Sequence, residues 1–344
     1  MKTRKKIRVL VVDDSMLFRK VLVDELSRDV AIEIVGVAGD PFEARDKILE
    51  LDPDVMTLDV QMPKMNGIDF LKKLMPVHPL PVVVVSSVSE AVFDALTAGA
   101  VDFVAKPTEK HPGALHGMMS ELLVKIKVAS MSKLSSKRKR SSSGDVQAAP
   151  GKHSAVDVIA IGASTGGTEA IFEVIRKFPR TIPPTVIVQH MPPVFTRMYA
   201  DRMNASCQVH VKEAEPGDVL KQGHVYIAPG EQHMTVIKKG AKWSLALADS
   251  AKVSGHRPSV DVLFQSVAQQ TKGRSIGVLL TGMGRDGANG LLKMRSSGSS
   301  TVGQDESSSV VYGMPKVAYE IGAVERQLKL PDIAAYVLKL LDLA

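Results

Sequence analysis

Short apolar, β-branched runs recur along this chain, and each gives way to a stretch whose apolar residues repeat at helical spacing. Nothing else in the sequence constrains the fold as much. Strands joined through helices pair in parallel, and parallel sheets gather their ligands beyond the carboxyl ends of the strands. In the N-terminal half the runs occupy residues 7–12, 32–38, 55–58, 82–85 and 101–105, with helices over 15–27 and 41–50. Leu17, Val21, Leu22 and Leu26 are read as the inward face of the first helix. In the C-terminal half the runs occupy residues 156–161, 185–189, 276–281 and 300–303. Between the halves, SMSKLSSKRKRSSSGDVQAAPGKH is rich in Ser, Lys and Arg and holds little that could pack. The expectation is an α/β chain in two units. Residues 7–125 form one, with a parallel five-stranded sheet; residues 126–153 form a flexible, basic, Ser-rich linker; residues 154–344 form a doubly wound, mostly parallel unit.

Composition narrows the function classes. The 344 residues include no apolar run of roughly 18, so no membrane insertion is expected, and MKTRKKIRVL lacks the apolar segment of a secretory signal. A single cysteine, Cys207, excludes internal disulfides and a cysteine-rich metal site, and fits a cytoplasmic setting. The net charge is +7, but residues 1–8 hold five basic residues and residues 125–140 hold seven, with no acidic residue in either, which leaves the rest at −5. That basicity is read as a tail and a linker, so no nucleic-acid partner is expected.

In VDVIAIGASTGGT, residues 156–161 read as a buried strand, Gly162 ends it, and Ser164 stands between Gly162 and Gly166 in the spacing G-x-S-x-G. A helix comes next, with Glu169 in its first turn and Ile171, Val174, Ile175 and Phe178 on one face. A serine in so sharp a strand-to-helix turn exposes its hydroxyl, and backbone N–H groups of the incoming helix can face an oxyanion. The bland alternative is a tight Gly/Ser turn. Partners for a nucleophile do exist. His190 succeeds the strand TVIVQ and precedes Met191-Pro192-Pro193, and Asp286 lies in the loop Gly282-Met283-Gly284-Arg285-Asp286-Gly287 after the strand at 276–281. Hydroxyl, imidazole and carboxylate on one strand rim meet the requirement for serine activation. The order Ser, His, Asp differs from the Ser, Asp, His of α/β-hydrolases. His233 and His256 border the region without evident chemistry, and Asp261 reads as a helix start. The same loop contains G-x-G-x-x-G, with Asp305-Glu306 further on, but a dinucleotide fingerprint belongs to the first strand of its unit, and Asp286 would face the pyrophosphate.

In the first half, strand ends carry Asp13-Asp14, Asp59, Ser86-Ser87 and Lys106-Pro107. Carboxylates sharing one rim repel unless a cation neutralises them, which suggests a Mg²⁺ site, and a carboxylate there can accept a phosphoryl group. These residues, with DVQMPKMNG directly after Leu58, closely resemble the receiver domain of two-component response regulators over residues 7–125. The resemblance implies a flavodoxin-like sheet of order 2-1-3-4-5, phosphorylation of Asp59 by a histidine kinase, and Mg²⁺ held by Asp13, Asp14 and Asp59. It places Ser86 and Lys106 at the phosphoryl oxygens and Phe103 at the aromatic switch position.

GASTGG, QHMPPVFT, RPSVDVLF and LTGMGRDG together resemble the catalytic domain of the chemotaxis protein-glutamate methylesterases, the CheB family, from about residue 155 onward. The activity implied by that resemblance is hydrolysis of glutamate methyl esters on chemoreceptors and deamidation of certain receptor glutamines. The resemblance also makes Ser164 the nucleophile, His190 the base and Asp286 its orienting acid. It makes the Met283 amide the oxyanion donor, with Thr165 bordering the site, and implies an esterase that needs no cofactor. The partners it implies are methyl-accepting chemotaxis receptors and a chemotaxis histidine kinase. By the same resemblance the chain is a monomer whose unphosphorylated receiver hinders receptor entry. The alternative is a phospho-regulated binding module without activity.

Overall fold

The computed structural model describes residues 5–87, 89–107, 112–132, 156–240 and 242–343. Contacts divide the chain into two units, the first among the described residues up to 132 and the second among those from 156 onward.

In the first unit, β1 (Ile7–Val12), α1 (Met16–Leu26), β2 (Ile32–Ala38), α2 (Pro41–Leu51), β3 (Val55–Leu58), α3 (Gly67–Leu74), β4 (Val82–Ser86), α4 (Ser89–Thr97), β5 (Asp102–Ala105) and α5 (Pro112–Ala129) alternate along the chain. The strands pair in parallel in the order β2-β1-β3-β4-β5. With helices covering both faces, strands such as β4 are buried throughout, which suits unbroken valine runs. Side chains cap the helices where the sequence changes period: Ser15 accepts from the Phe18 amide, Asp40 from Phe42 and Glu43, and Asn66 from Ile68 and Asp69.

Two expectations need correction. Leu17 does not face the core but is 75% exposed, while Leu22 and Leu26 are buried. Leu17 and Leu26 lie about two and a half turns apart at 3.6 residues per turn, so they occupy opposite faces. The expected linker also begins too early. Helix α5 runs to Ala129, with Leu122, Ile126 and Ala129 buried at helical spacing. Lys125 and Lys127 therefore belong to a folded face, where Lys125 pairs with Asp102 and Glu121, and Lys127 with Asp29. Residues 133–153 of the expected linker lie outside the described residues.

The second unit runs through β6 (Val158–Ala163), α6 (Gly167–Ile175), β7 (Thr185–Gln189), α7 (Phe195–Ser206), β8 (His210–Glu213), β9 (His224–Ile227), β10 (His233–Lys239), β11 (Lys242–Ala248), α8 (Val260–Thr271), β12 (Ser275–Leu279), α9 (Ala288–Ser296), β13 (Ser300–Gln304), α10 (Met314–Glu320), β14 (Arg326–Leu328) and α11 (Leu330–Leu340). Seven strands pair in parallel in the order β14-β13-β12-β6-β7-β9-β8. The antiparallel hairpin β10–β11, which the sequence pattern did not anticipate, packs against α8. After β6 the chain moves outward to β7, and it later returns to place β12 on the other side of β6. That reversal opens a crevice at the carboxyl ends of β6 and β12, where open α/β sheets bind ligands.

Candidate active site

The turn after β6 is built by close approach. A Cβ on Gly162 would sit 2.2 Å from Val260 Cγ1, and one on Gly167 would sit 2.1 Å from Gln189 Oε1. Gly166 begins α6 in the left-handed region, with φ +74°. Ser164 is fixed through its backbone. Its N–H donates to Thr281 O (3.0 Å), and its carbonyl accepts from Gly167 N (2.7 Å) and Gln189 Nε2 (3.0 Å).

Register places the next residue beside it. Ala163 pairs with Gln189 across β6 and β7, and His190 N donates to Ala163 O (3.2 Å), so Ser164 and His190 leave adjacent strands together. His190 Nε2 lies 2.8 Å from Asp286 Oδ2, whereas its buried Nδ1 has no hydrogen-bond partner. An ionised Asp286 assigns the ring proton to Nε2 and leaves the lone pair on Nδ1. No hydrogen bond joins Ser164 to Nδ1, a contact that commonly tightens only when substrate binds.

Asp286 is 1% exposed and is held by four donors. Besides His190 it accepts from Ser259 Oγ (2.7 Å), Val260 N (2.7 Å) and Asp261 N (3.0 Å), at the N-terminus of α8. Burial alone would raise its pKa, but His190, Ser259 and the helix amides outweigh that and hold it below the usual 3.8. Asp261 is also buried. Burial and the neighbouring Asp286 push its pKa up, against the Gly290 amide. Of the two carboxylates, Asp286 is the one kept ionised against the imidazole. The G-x-G-x-x-G loop is thereby committed: Asp286 points into α8, and Asp305 binds Ser307 and Ser308.

Sequence reasoning left His233 and His256 without a role, and the fold gives both a position. His233 Nδ1 accepts from Ser259 N (3.2 Å) and its Nε2 lies 3.0 Å from Ala251 O, so it supports the cap that holds Asp286. His256 stacks on His190, with ring centroids 3.8 Å apart. Neither residue carries a local signal, because each arrives on an element remote in sequence. Burial pushes the Cys207 thiol up to about 11.

The loop after β12 lies against Ser164. A Cβ on Gly282 would fall 2.7 Å from Ser164 Cβ. The Gly282 carbonyl accepts from Met314 N (2.7 Å) and Gly313 N (3.1 Å), and Gly282 N donates to Val311 O (3.0 Å). In a trans peptide the Met283 N–H points away from that carbonyl, and so away from α10. Thr165 is buried, and its carbonyl accepts from Thr281 Oγ1 (3.0 Å).

In the first unit, carboxylate oxygens of Asp13, Asp14 and Asp59 lie within 4.8 Å of one another. Lys106 Nζ stands 2.6 Å from Asp59 Oδ2 and 2.7 Å from Asp13 Oδ2, yet Asp13 Oδ2 accepts no aligned hydrogen bond. Burial raises the Asp13 pKa against Lys106, while bonds to Asp13 and Asp59 raise that of Lys106 against its own burial. Hard oxygen donors in excess of one ammonium, with an oxygen left unaligned, suit a divalent cation. Ser86 is buried at the end of β4, where its carbonyl accepts from Lys106 N (2.9 Å). Phe103 is buried under Lys125, whose Nζ lies 4.9 Å from the ring centroid.

A receiver-type acidic pocket on one doubly wound sheet, and a Ser/His/Asp cluster at the switch point of another, define a response regulator with an enzymatic output unit. The family model described as CheB methylesterase matches residues 159–337, and that described as response regulator receiver domain matches residues 9–116. The chain belongs to the CheB methylesterase family, in the form that carries an N-terminal receiver domain. It is 54% identical to protein-glutamate methylesterase/protein-glutamine glutaminase 2 of Syntrophomonas wolfei, over 98% of each chain. It is 49% identical to protein-glutamate methylesterase/protein-glutamine glutaminase 1 of Caulobacter vibrioides, over 97% of this chain and 98% of that one. The crystal structure of the Thermotoga maritima CheB methylesterase catalytic domain aligns with 54% of this chain and 100% of its own, with a TM-score of 0.53 and 37% identity. Both family resemblances read from the motifs, and the strand order expected of the receiver, are borne out. Among the described residues no helix is long and apolar enough to cross a membrane.

Proposed function

We propose that this chain is a phosphorylation-controlled protein-glutamate methylesterase and protein-glutamine glutaminase, acting on chemoreceptors in the cytoplasm, with Ser164, His190 and Asp286 as its catalytic residues. The observation that carries the assignment is the His190–Asp286 bond of 2.8 Å, which leaves Nδ1 unpartnered beside the strand end bearing Ser164. Ser164 Oγ attacks the ester carbonyl carbon while its proton passes to His190 Nδ1. Asp286 stabilises the imidazolium, and the Met283 N–H faces the oxyanion. The tetrahedral intermediate collapses, methanol leaves with the proton from His190, and an acyl-serine remains. Water then attacks that ester as His190 takes its proton, and His190 returns the proton to Ser164 Oγ as it leaves, freeing the glutamate side-chain carboxyl. With a glutamine side chain, ammonia leaves in place of methanol.

In the receiver, Asp59 accepts a phosphoryl group from a histidine kinase of the chemotaxis system. Asp13, Asp14 and Asp59 would hold Mg²⁺, which supplies charge neutralisation at the phosphoryl oxygens. Lys106 and Ser86 contact those oxygens, and Phe103 moves inward after Ser86.

Methanol release from receptor membranes carrying labelled methyl esters tests the reading. Ser164→Ala should lower the rate on the order of 10⁴- to 10⁶-fold, by analogy with other serine triads, and leave folding unchanged. Near-normal release from that variant would remove Ser164 as nucleophile. No release from the unsubstituted, phosphorylated chain would favour a binding module instead.

A further inference from the structure

His256 has no part in the proton transfers between Ser164, His190 and substrate, yet it lies face to face with the base. The two imidazole planes are within 11° of parallel and their centroids are 3.8 Å apart. The ring is delivered by a closed loop: Val253 N donates to His256 O (3.1 Å) and His256 N to Val253 O (3.0 Å). Two residues of that loop, Ser254 at φ +53° and Gly255 at φ +82°, adopt left-handed backbone.

We propose that His256 is a positioning residue for the reaction: its ring fixes the plane of the His190 imidazole and favours the imidazolium that forms when Ser164 gives up its proton. The proposal rests on His190 as the base.

Geometry supplies the first reason. The bond to Asp286 holds His190 at Nε2 only, and Nδ1 has no hydrogen bond to hold it. A ring anchored at one atom can swing about that bond. A parallel face at van der Waals distance blocks the swing and keeps Nδ1 aimed, where a misplacement of about 1 Å would cost on the order of 100-fold in rate. Charge supplies the second. An imidazolium is attracted to a neutral aromatic face and repelled by a second cation. Burial and then the charge of His190 push the His256 pKa down to about 4, with Lys252 acting in the same sense and Asp286 against it. His256 therefore stays neutral where the base must work. Asp286 and His256 are titratable groups set against His190 in this cluster.

Four variants of the full chain separate this role from a structural one. His256→Phe keeps an aromatic face, His256→Leu keeps bulk without one, His256→Ala removes both, and His190→Gln removes the base. Methanol release from methyl-esterified receptor membranes gives kcat and KM for each, and urea unfolding reports folding. His256→Leu and His256→Ala should lose kcat by roughly 10- to 100-fold, with KM within about twofold, while His256→Phe stays within about threefold of the unsubstituted chain. Should the alanine variant not fold, the Phe and Leu pair decides. Unchanged kcat in His256→Leu, or a loss in His256→Phe as large as in His256→Leu, would overturn the proposal. Full activity in His190→Gln would instead overturn the assignment of the base, a result distinct from an essential His190 with a dispensable His256.

Discussion

In the proposed mechanism Asp286 serves both stability and chemistry. Every polar group aimed at its carboxylate is a donor: the Ser259 hydroxyl, two amides of the α8 N-terminus and His190 Nε2. Asp286→Asn would turn an amide NH₂ toward donors and leave buried groups unsatisfied. Its rate should fall by up to roughly 10⁴-fold, because the imidazolium loses its counter-charge. Its stability at neutral pH should fall by about 1–3 kcal/mol. The sign with pH comes from the depressed pKa. A carboxyl held below 3.8 stabilises the fold above that value and loses its contribution as pH falls through the folded pKa. Urea unfolding of both chains should therefore differ at pH 7 and converge in strong acid. A constant difference would mean that packing, not charge, holds Asp286. A rate loss of twofold or less would point to Asp261.

At the scale of elements, the loop after β12 is shaped by its neighbours more than by itself. Amides of Gly313 and Met314, at the start of α10, both donate to the Gly282 carbonyl. Each fixes the peptide whose other end is the Met283 N–H, and donation to a carbonyl polarises the N–H of the same unit. Gly313 has a negative φ of −113°, so its lack of a side chain matters for space: a Cβ would fall 2.7 Å from Gly282 O and 3.1 Å from Met283 Cα. Gly313→Ala should displace the Met283 N–H, the proposed oxyanion donor, and lower kcat on the order of 10²-fold, with KM little changed. Wild-type kcat in a folded Gly313→Ala chain would show that the Met283 amide does not carry the oxyanion.

In both units the proposed site residues stand at the carboxyl ends of a parallel sheet. We propose that phosphorylation of the receiver acts on the esterase by shifting a population between restrained and active forms. Tenfold activation requires about 1.4 kcal/mol of differential stability, within reach of one charge-assisted contact. Asp59→Ala should leave the full chain at its basal rate and unresponsive to acetyl phosphate. A fragment beginning near residue 154 contains the seven-stranded sheet with its own core, and it should release methanol faster than the unphosphorylated chain. A fragment no faster than the full chain would exclude restraint by the receiver and leave phosphorylation to recruit or assemble something.

Much of this was legible in the sequence, for a physical reason. Buried parallel strands demand unbroken β-branched runs, and their ends are where polar residues can first appear, so Ser164, His190, Asp286, Asp13, Asp59 and Lys106 announce themselves at the junctions. Helix faces were less secure, as Leu17 shows, because a single apolar residue at the first turn fits the pattern without lying on the buried stripe. The linker's start was set too early because lysines that look like linker in the sequence find carboxylates only in three dimensions. Tertiary structure alone decided which nitrogen of His190 meets Asp286, that His233 and His256 close around the pair, and that Gly313 stands behind the Gly282 peptide. These contacts join residues from 26 to 96 positions apart, and no local propensity reports on a partner that distant. The sequence by itself determined which groups stand at the strand ends; only packing decided how they face one another.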